Sequence, residues 1–160
     1  LAVPLFPVYN VRNLQLTDAN IGTGTALFYL AVLLASTQLN RIVRHSGHKK
    51  VTAWGVSGMS IYPIALAFST LVWQYYVVSA VGGLIWALVA GASANYLLEN
   101  IPENDRPSHL AWYTVVLNSA ILISSLTGPL ISNTIGIFSA LILAGVLRFI
   151  AGLAMLKWGR

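Results

Sequence analysis

The sequence predicts an all-α fold, a polytopic bundle of membrane-spanning helices, on three observations. The first is composition: of 160 residues, 57% are hydrophobic and only 8% are charged, and the mean hydropathy is +0.74. A soluble domain carries about 25% charged residues, because its surface must be solvated. The second is a set of five apolar runs long enough to cross a bilayer. The third is the alternating charge of the segments that join them.

Crossing a hydrocarbon core of about 30 Å takes about 20 apolar residues at about 1.5 Å each. The runs 21–39, 51–69, 71–98, 110–131 and 137–156 meet that length. The third is long enough to tilt or to extend past the hydrocarbon. The run 1–11 is too short to span and fits the remnant of a preceding helix. With Leu1 in place of an initiating Met and no basic leader, the chain reads as an internal fragment.

Charge orders the connections. Arg41, Arg44, Lys49 and Lys50 lie between the first two runs, and Glu99, Glu103, Asp105 and Arg106 between the third and fourth. Lys157 and Arg160 follow the last run, whereas the turns near Ser69 and over 132–136 carry no charge. Placing the basic segment in the cytoplasm puts seven of the nine Lys and Arg inside, with Arg12 outside and Arg148 within a run. Cytoplasmic loops carry just such an excess of Lys and Arg, so the C-terminus is expected to be cytoplasmic. The net charge of +5 is therefore a topology signal, and no nucleic-acid partner is expected.

Aromatic residues agree. Trp54, Trp112, Tyr113 and Trp158 fall near the inner ends of the runs, and Trp73, Tyr75 and Tyr76 near an outer end. Such rings prefer the headgroup region. Small residues recur at every fourth position in two runs: Ser79, Gly83, Ala87, Gly91 and Asn95, then Ala120, Ser124, Gly128, Ser132 and, just beyond, Gly136. Such faces let helix backbones approach where lipid gives no hydrophobic drive for association, so Gly83, Gly91 and Gly128 are expected at helix contacts.

Enzyme signatures are missing. The chain has no cysteine, which removes disulfide and thiol chemistry. His45 and His48 stand in a basic segment that repels a metal cation, and Gly22-Thr23-Gly24 lacks the strand-to-helix context of a phosphate loop. No serine has a His and Asp partner at one membrane depth. Catalytic residues, metals and cofactors are therefore not expected. Arg148 is the one ionisable residue inside a run, and such residues are functional candidates. It lies eight residues before Leu156, about 12 Å along a helix, within reach of the inner headgroups by snorkelling, which is the expected course.

Ser36-Thr37-Gln38-Leu39-Asn40-Arg41, followed by Gly47-His48-Lys49-Lys50, resembles the signature loop of the major facilitator superfamily, the transporters whose pattern is Gly, three residues, Asp-Arg, then Gly-Arg-Arg or Gly-Arg-Lys. Ser36 stands for the leading Gly and Asn40 for the Asp. The resemblance implies a cytoplasmic latch, hydrogen-bonded rather than salt-bridged because Asn40 has no charge. Pro102-Glu103-Asn104-Asp105-Arg106-Pro107 resembles the loop before that family's eleventh helix, and Gly128-Pro129 the Gly-Pro pair within it.

The resemblance implies helices seven to twelve of a two-half transporter, the seventh truncated, with an N-terminal half as partner and a bacterial inner membrane as the expected setting. It implies alternating access, in which the halves rock about a central site. The solute path would be lined by the truncated helix and the first, third and fourth full spans. Their polar residues include Tyr9, Asn10, Thr25, Tyr29, Asn95, Asn118 and Ser124, neutral groups that suit a neutral or amphiphilic small molecule. The rival readings are a non-transporting scaffold or receptor-like relative, and a membrane-embedded enzyme.

Overall fold

The computed structural model describes residues 3–159 and contains no strand among them. Leu1 and Ala2 of the expected remnant, and Arg160, lie outside the described residues. The elements are α1 (Leu5–Arg12), α2 (Asp18–Ser46), α3 (His48–Gly58), α4 (Ile61–Phe68), α5 (Val72–Asn100), α6 (Arg106–Ile135) and α7 (Ile137–Trp158), with a 3-10 turn over Glu103–Asp105 before α6. Five segments are long and apolar enough to cross a membrane: Asp18–Ser46, His48–Phe68, Val72–Asn100, Glu103–Ile135 and Ile137–Trp158.

Each boundary has a local cause. The Thr17 hydroxyl accepts from Asn20 N at 3.3 Å and caps α2, with Asp18 favourably placed in the first turn. The Gln74 side-chain oxygen accepts from the amides of Thr70 and Leu71, at 2.7 and 3.0 Å, and starts α5. The eleven-residue connection expected between the first two spans is a single residue, Gly47. Arg41 and Arg44 continue α2 and Lys49 and Lys50 begin α3, because charges in the headgroup zone need water but need not break a helix. Gly136 makes the same corner between α6 and α7. Their φ values of 79° and 82°, with ψ near 155°, belong to a region that only glycine occupies readily.

The second span was expected to be continuous, but it breaks at Met59–Ser60, between α3 and α4. Pro63 accounts for this. It has no N–H to give the carbonyl of Met59 four residues earlier, and its ring crowds that carbonyl.

Packing centres on α5 and α7. α5 lies along α2, and α3 is held between α5 and α7, with α4 against both. Ser79, Gly83 and Ala87 are buried in the α5 face that meets α2. The α7 face toward α3 and α4 is likewise small, with Ala140, Ala144, Gly145 and Gly152 buried around Leu141. Leu5, Tyr9, Leu66, Ala67, Tyr75 and Leu141 form a core near the Ser69 end of the bundle. Tyr75, assigned to the headgroup belt by sequence, belongs instead to that core. Its ring lies against Gly24, where a Cβ would come within 2.2 Å of it.

In contrast, α6 touches α7 and, slightly, α1, and Gly128 is its one buried residue among those described. Pro129 follows inside the helix, exposed on its surface.

Candidate functional site

Two ends and a middle are defined by side-chain contacts. At one end His48 Nε2 lies 3.4 Å from Glu99 Oε1, tying the Gly47 corner to the end of α5. Beside it Lys49 Nζ donates to the Gly159 carbonyl at the end of α7. Arg41, Arg44, Lys50 and Lys157 belong to these same helix ends, so the basic residues gather at one face of the bundle. At the other end the Tyr76 hydroxyl donates to Asn20 Oδ1 at 3.0 Å, joining the starts of α2 and α5.

The residues of the family-like loop are distributed along that basic end. Ser36 returns its hydroxyl to the Val32 carbonyl at 2.7 Å, one turn back on α2. Asn40 and Arg41 are exposed on an open face of α2 with Arg44 and His45, and neither side chain makes a hydrogen bond among the described residues.

The polar residues expected to line a path fall into two groups. Tyr9 and Asn10 are buried in α1. The Tyr9 hydroxyl donates to the carbonyls of Ala67 at 2.8 Å and Ser69 at 3.2 Å, where α4 ends and its carbonyls lack helical donors. Asn10 Oδ1 has no hydrogen-bond partner among the described residues, an unusual state for a buried amide. The second group is exposed, apart from a half-buried Ser124. Thr25 and Asn118 donate to carbonyls four residues back, at 2.9 and 2.8 Å, and Ser124 to that of Ile121 at 2.9 Å. Asn95 makes a long 3.5 Å bond to Gly91. These residues do not meet in one site.

What does converge is a cleft of about 300 Å³ at mid-depth, and only Tyr29 of the expected set borders it. Phe6 of α1, Phe28 and Tyr29 of α2, Met59 at the α3–α4 break, Tyr62 of α4, Trp86 of α5 and Arg148 of α7 form its walls. Phe6 and Tyr62 meet edge to face at 4.9 Å, and Phe28 and Tyr29 at 5.4 Å. Arg148 does not snorkel to the headgroups as expected. It is half-buried near the middle of α7, and its Nη1 donates to Met59 O at 3.5 Å. Met59 O is the acceptor that Pro63 leaves without its helical donor, which is why the guanidinium turns inward. The sequence carried one overlooked signal for this cleft. Trp86 sits mid-span in α5, away from both headgroup belts.

Comparison with known proteins follows the same line. The family model described as Major Facilitator Superfamily matches residues 1–160. The chain belongs to the Major Facilitator Superfamily. It is similar to the "Multidrug resistance protein MdtG" of Rahnella sp. (strain Y9602), 26% identical over 138 residues, which is 83% of this chain and 32% of that protein. It is also similar to the protein of the same name from Erwinia billingiae (strain Eb661), 27% identical over 117 residues, or 70% of this chain and 28% of that one. The chain thus spans about a third of the length of these curated relatives. As a superfamily member with five membrane-length apolar helices, it is an integral membrane protein.

Proposed function

We propose that this chain forms the C-terminal half of a secondary transporter, its α1 ending the seventh helix and α2 to α7 supplying the eighth to twelfth. It moves a small solute by alternating access, with the path between this half and an N-terminal six-helix partner. The observation that carries the reading is α6. Only 6% of its most apolar stretch is buried, yet that helix also exposes Thr114, Asn118 and Ser125. Lipid is a poor neighbour for such groups, and each hydroxyl or amide that bonds its own helix keeps further hydrogen-bonding capacity. A facing half and an aqueous path are suitable neighbours.

Asn10 supports the same reading, because its buried oxygen awaits a donor from a solute or a partner helix. The basic end faces the cytoplasm in this account, and with it the C-terminus, by the positive-inside rule. Asn40 and Arg41 lie there as the hydrogen-bonding half of a latch. The bacterial relatives favour an inner-membrane setting, and their name favours drug-like solutes. The test is reconstitution: flux across liposomes by residues 1–160 with and without the partner half.

A further inference from the structure

The Arg148 guanidinium has five N–H donors and stays protonated in proteins. Among the described residues one hydrogen bond uses them, the 3.5 Å contact to Met59 O. The ion pairs among those residues join His48 to Glu99, Arg106 to Glu103 and His109 to Asp105, and none includes Arg148. A full charge is therefore held near the middle of a membrane helix without a counter-charge. Such a group is costly there unless paired, and it marks a solute or ion pathway more often than a packing site.

Its surroundings define what could pair with it. The Phe6–Tyr62 and Phe28–Tyr29 pairs and Trp86 give the cleft aromatic walls, and a volume of about 300 Å³ admits a bicyclic ring or a short alkyl chain. A small-molecule site has this form, mostly apolar with one orienting polar group. A lipid phosphate fits poorly, because it stays at the surface, about 15 Å from the midplane of a 30 Å core.

We propose that this cleft binds a small amphiphilic monoanion, an aromatic or aliphatic carboxylate whose apolar body lies on the aromatic walls and whose carboxylate pairs with Arg148. Guanidinium and carboxylate match as a two-bond fork, which gives the site orientation as well as charge selection. The assignment rests on the transport reading only in making this ligand a transported solute. Binding itself depends on wall residues that all lie within the chain.

The experiment measures equilibrium binding of 1-naphthoate and its neutral isostere 1-naphthamide to the full chain purified in detergent. The expected result is naphthoate binding at least about tenfold tighter than naphthamide, the worth of one charge-assisted pair. Arg148→Met should erase that preference, and Arg148→Lys should keep part of it. Trp86→Leu should weaken both ligands by similar factors and preserve the preference. Equal binding of the two ligands, no naphthoate binding, or undiminished naphthoate binding to Arg148→Met would overturn the site. The wild-type comparison decides the matter even where a variant fails to fold. Anion-selective binding by the chain, with no flux in liposomes when it is co-expressed with the N-terminal half, supports the site and counts against the transport reading. Flux by the two halves together without naphthoate selectivity does the reverse.

Discussion

Arg148 reaches the carbonyl of Met59, 89 positions earlier in the chain, because Pro63 has deprived that carbonyl of its helical donor. One imino acid thus breaks the second span and gives a half-buried cation its protein contact. The two effects should be thermodynamically coupled. Pro63→Ala restores an N–H for Met59 O and lets α3 and α4 join. Arg148→Met alone mixes loss of the contact with relief of a buried charge, so its sign is uninformative. The double-mutant cycle isolates the contact, and a coupling of roughly 0.5–1 kcal/mol is expected from thermal unfolding in detergent. Strict additivity would contradict the link between the proline and the arginine.

Tyr9 offers a second test. Its hydroxyl serves the last carbonyls of α4 at Ala67 and Ser69 from a buried position. Tyr9→Phe should lower stability by about 1–2 kcal/mol, since buried acceptors lose their donor while the ring is kept. Unchanged stability would show that the hydroxyl belongs to the solute path instead.

The presence of five membrane-length apolar helices was legible because hydropathy depends only on composition along the chain. The corners were not, because the helix signal of Arg41, Arg44, Lys49 and Lys50 is independent of the polarity that marks them as a connection. The break at Met59 was written in Pro63, yet the uninterrupted apolar run around it concealed the interruption. In the site, Arg148 was visible as the one intramembrane charge. The direction of its side chain was not, since that depends on a carbonyl freed in another helix. Tyr9 was legible as a polar residue, but its partner lies 58 positions away.

Two glycines that α5 brings to its contact with α2 should respond differently to one methyl group. A Cβ at Gly83 would lie 2.2 Å from the backbone oxygen of Phe28, which cannot move without the helix. At Gly91 it would meet the end of the Leu39 side chain at 2.0 Å, which can rotate away. Gly83→Ala is therefore expected to cost about 1–3 kcal/mol. Gly91→Ala should fall within about 1 kcal/mol of neutral, because alanine's helix propensity offsets the crowding. A reversed order in thermal unfolding would mean that α5 does not lie on α2 in this register.

Orientation is accessible to chemical labelling. Single cysteines at Ser46, beside the Gly47 corner, and at the exposed Thr70 and Asn133, toward the opposite end, report on the two faces. With an impermeant thiol reagent on intact cells, Thr70→Cys and Asn133→Cys should label and Ser46→Cys should not. The inverse pattern would place the basic end outside and contradict the positive-inside assignment.

The most direct test of the half-transporter account is flux itself. In that account an amphipathic solute path needs two walls that rock against each other, one of them supplied by α1, α2, α5 and α6. Residues 1–160 reconstituted alone in liposomes should insert but carry no saturable solute flux. Co-expression with the preceding N-terminal half should restore it. Robust, saturable flux by the purified chain alone would contradict the account and identify a small self-assembling carrier.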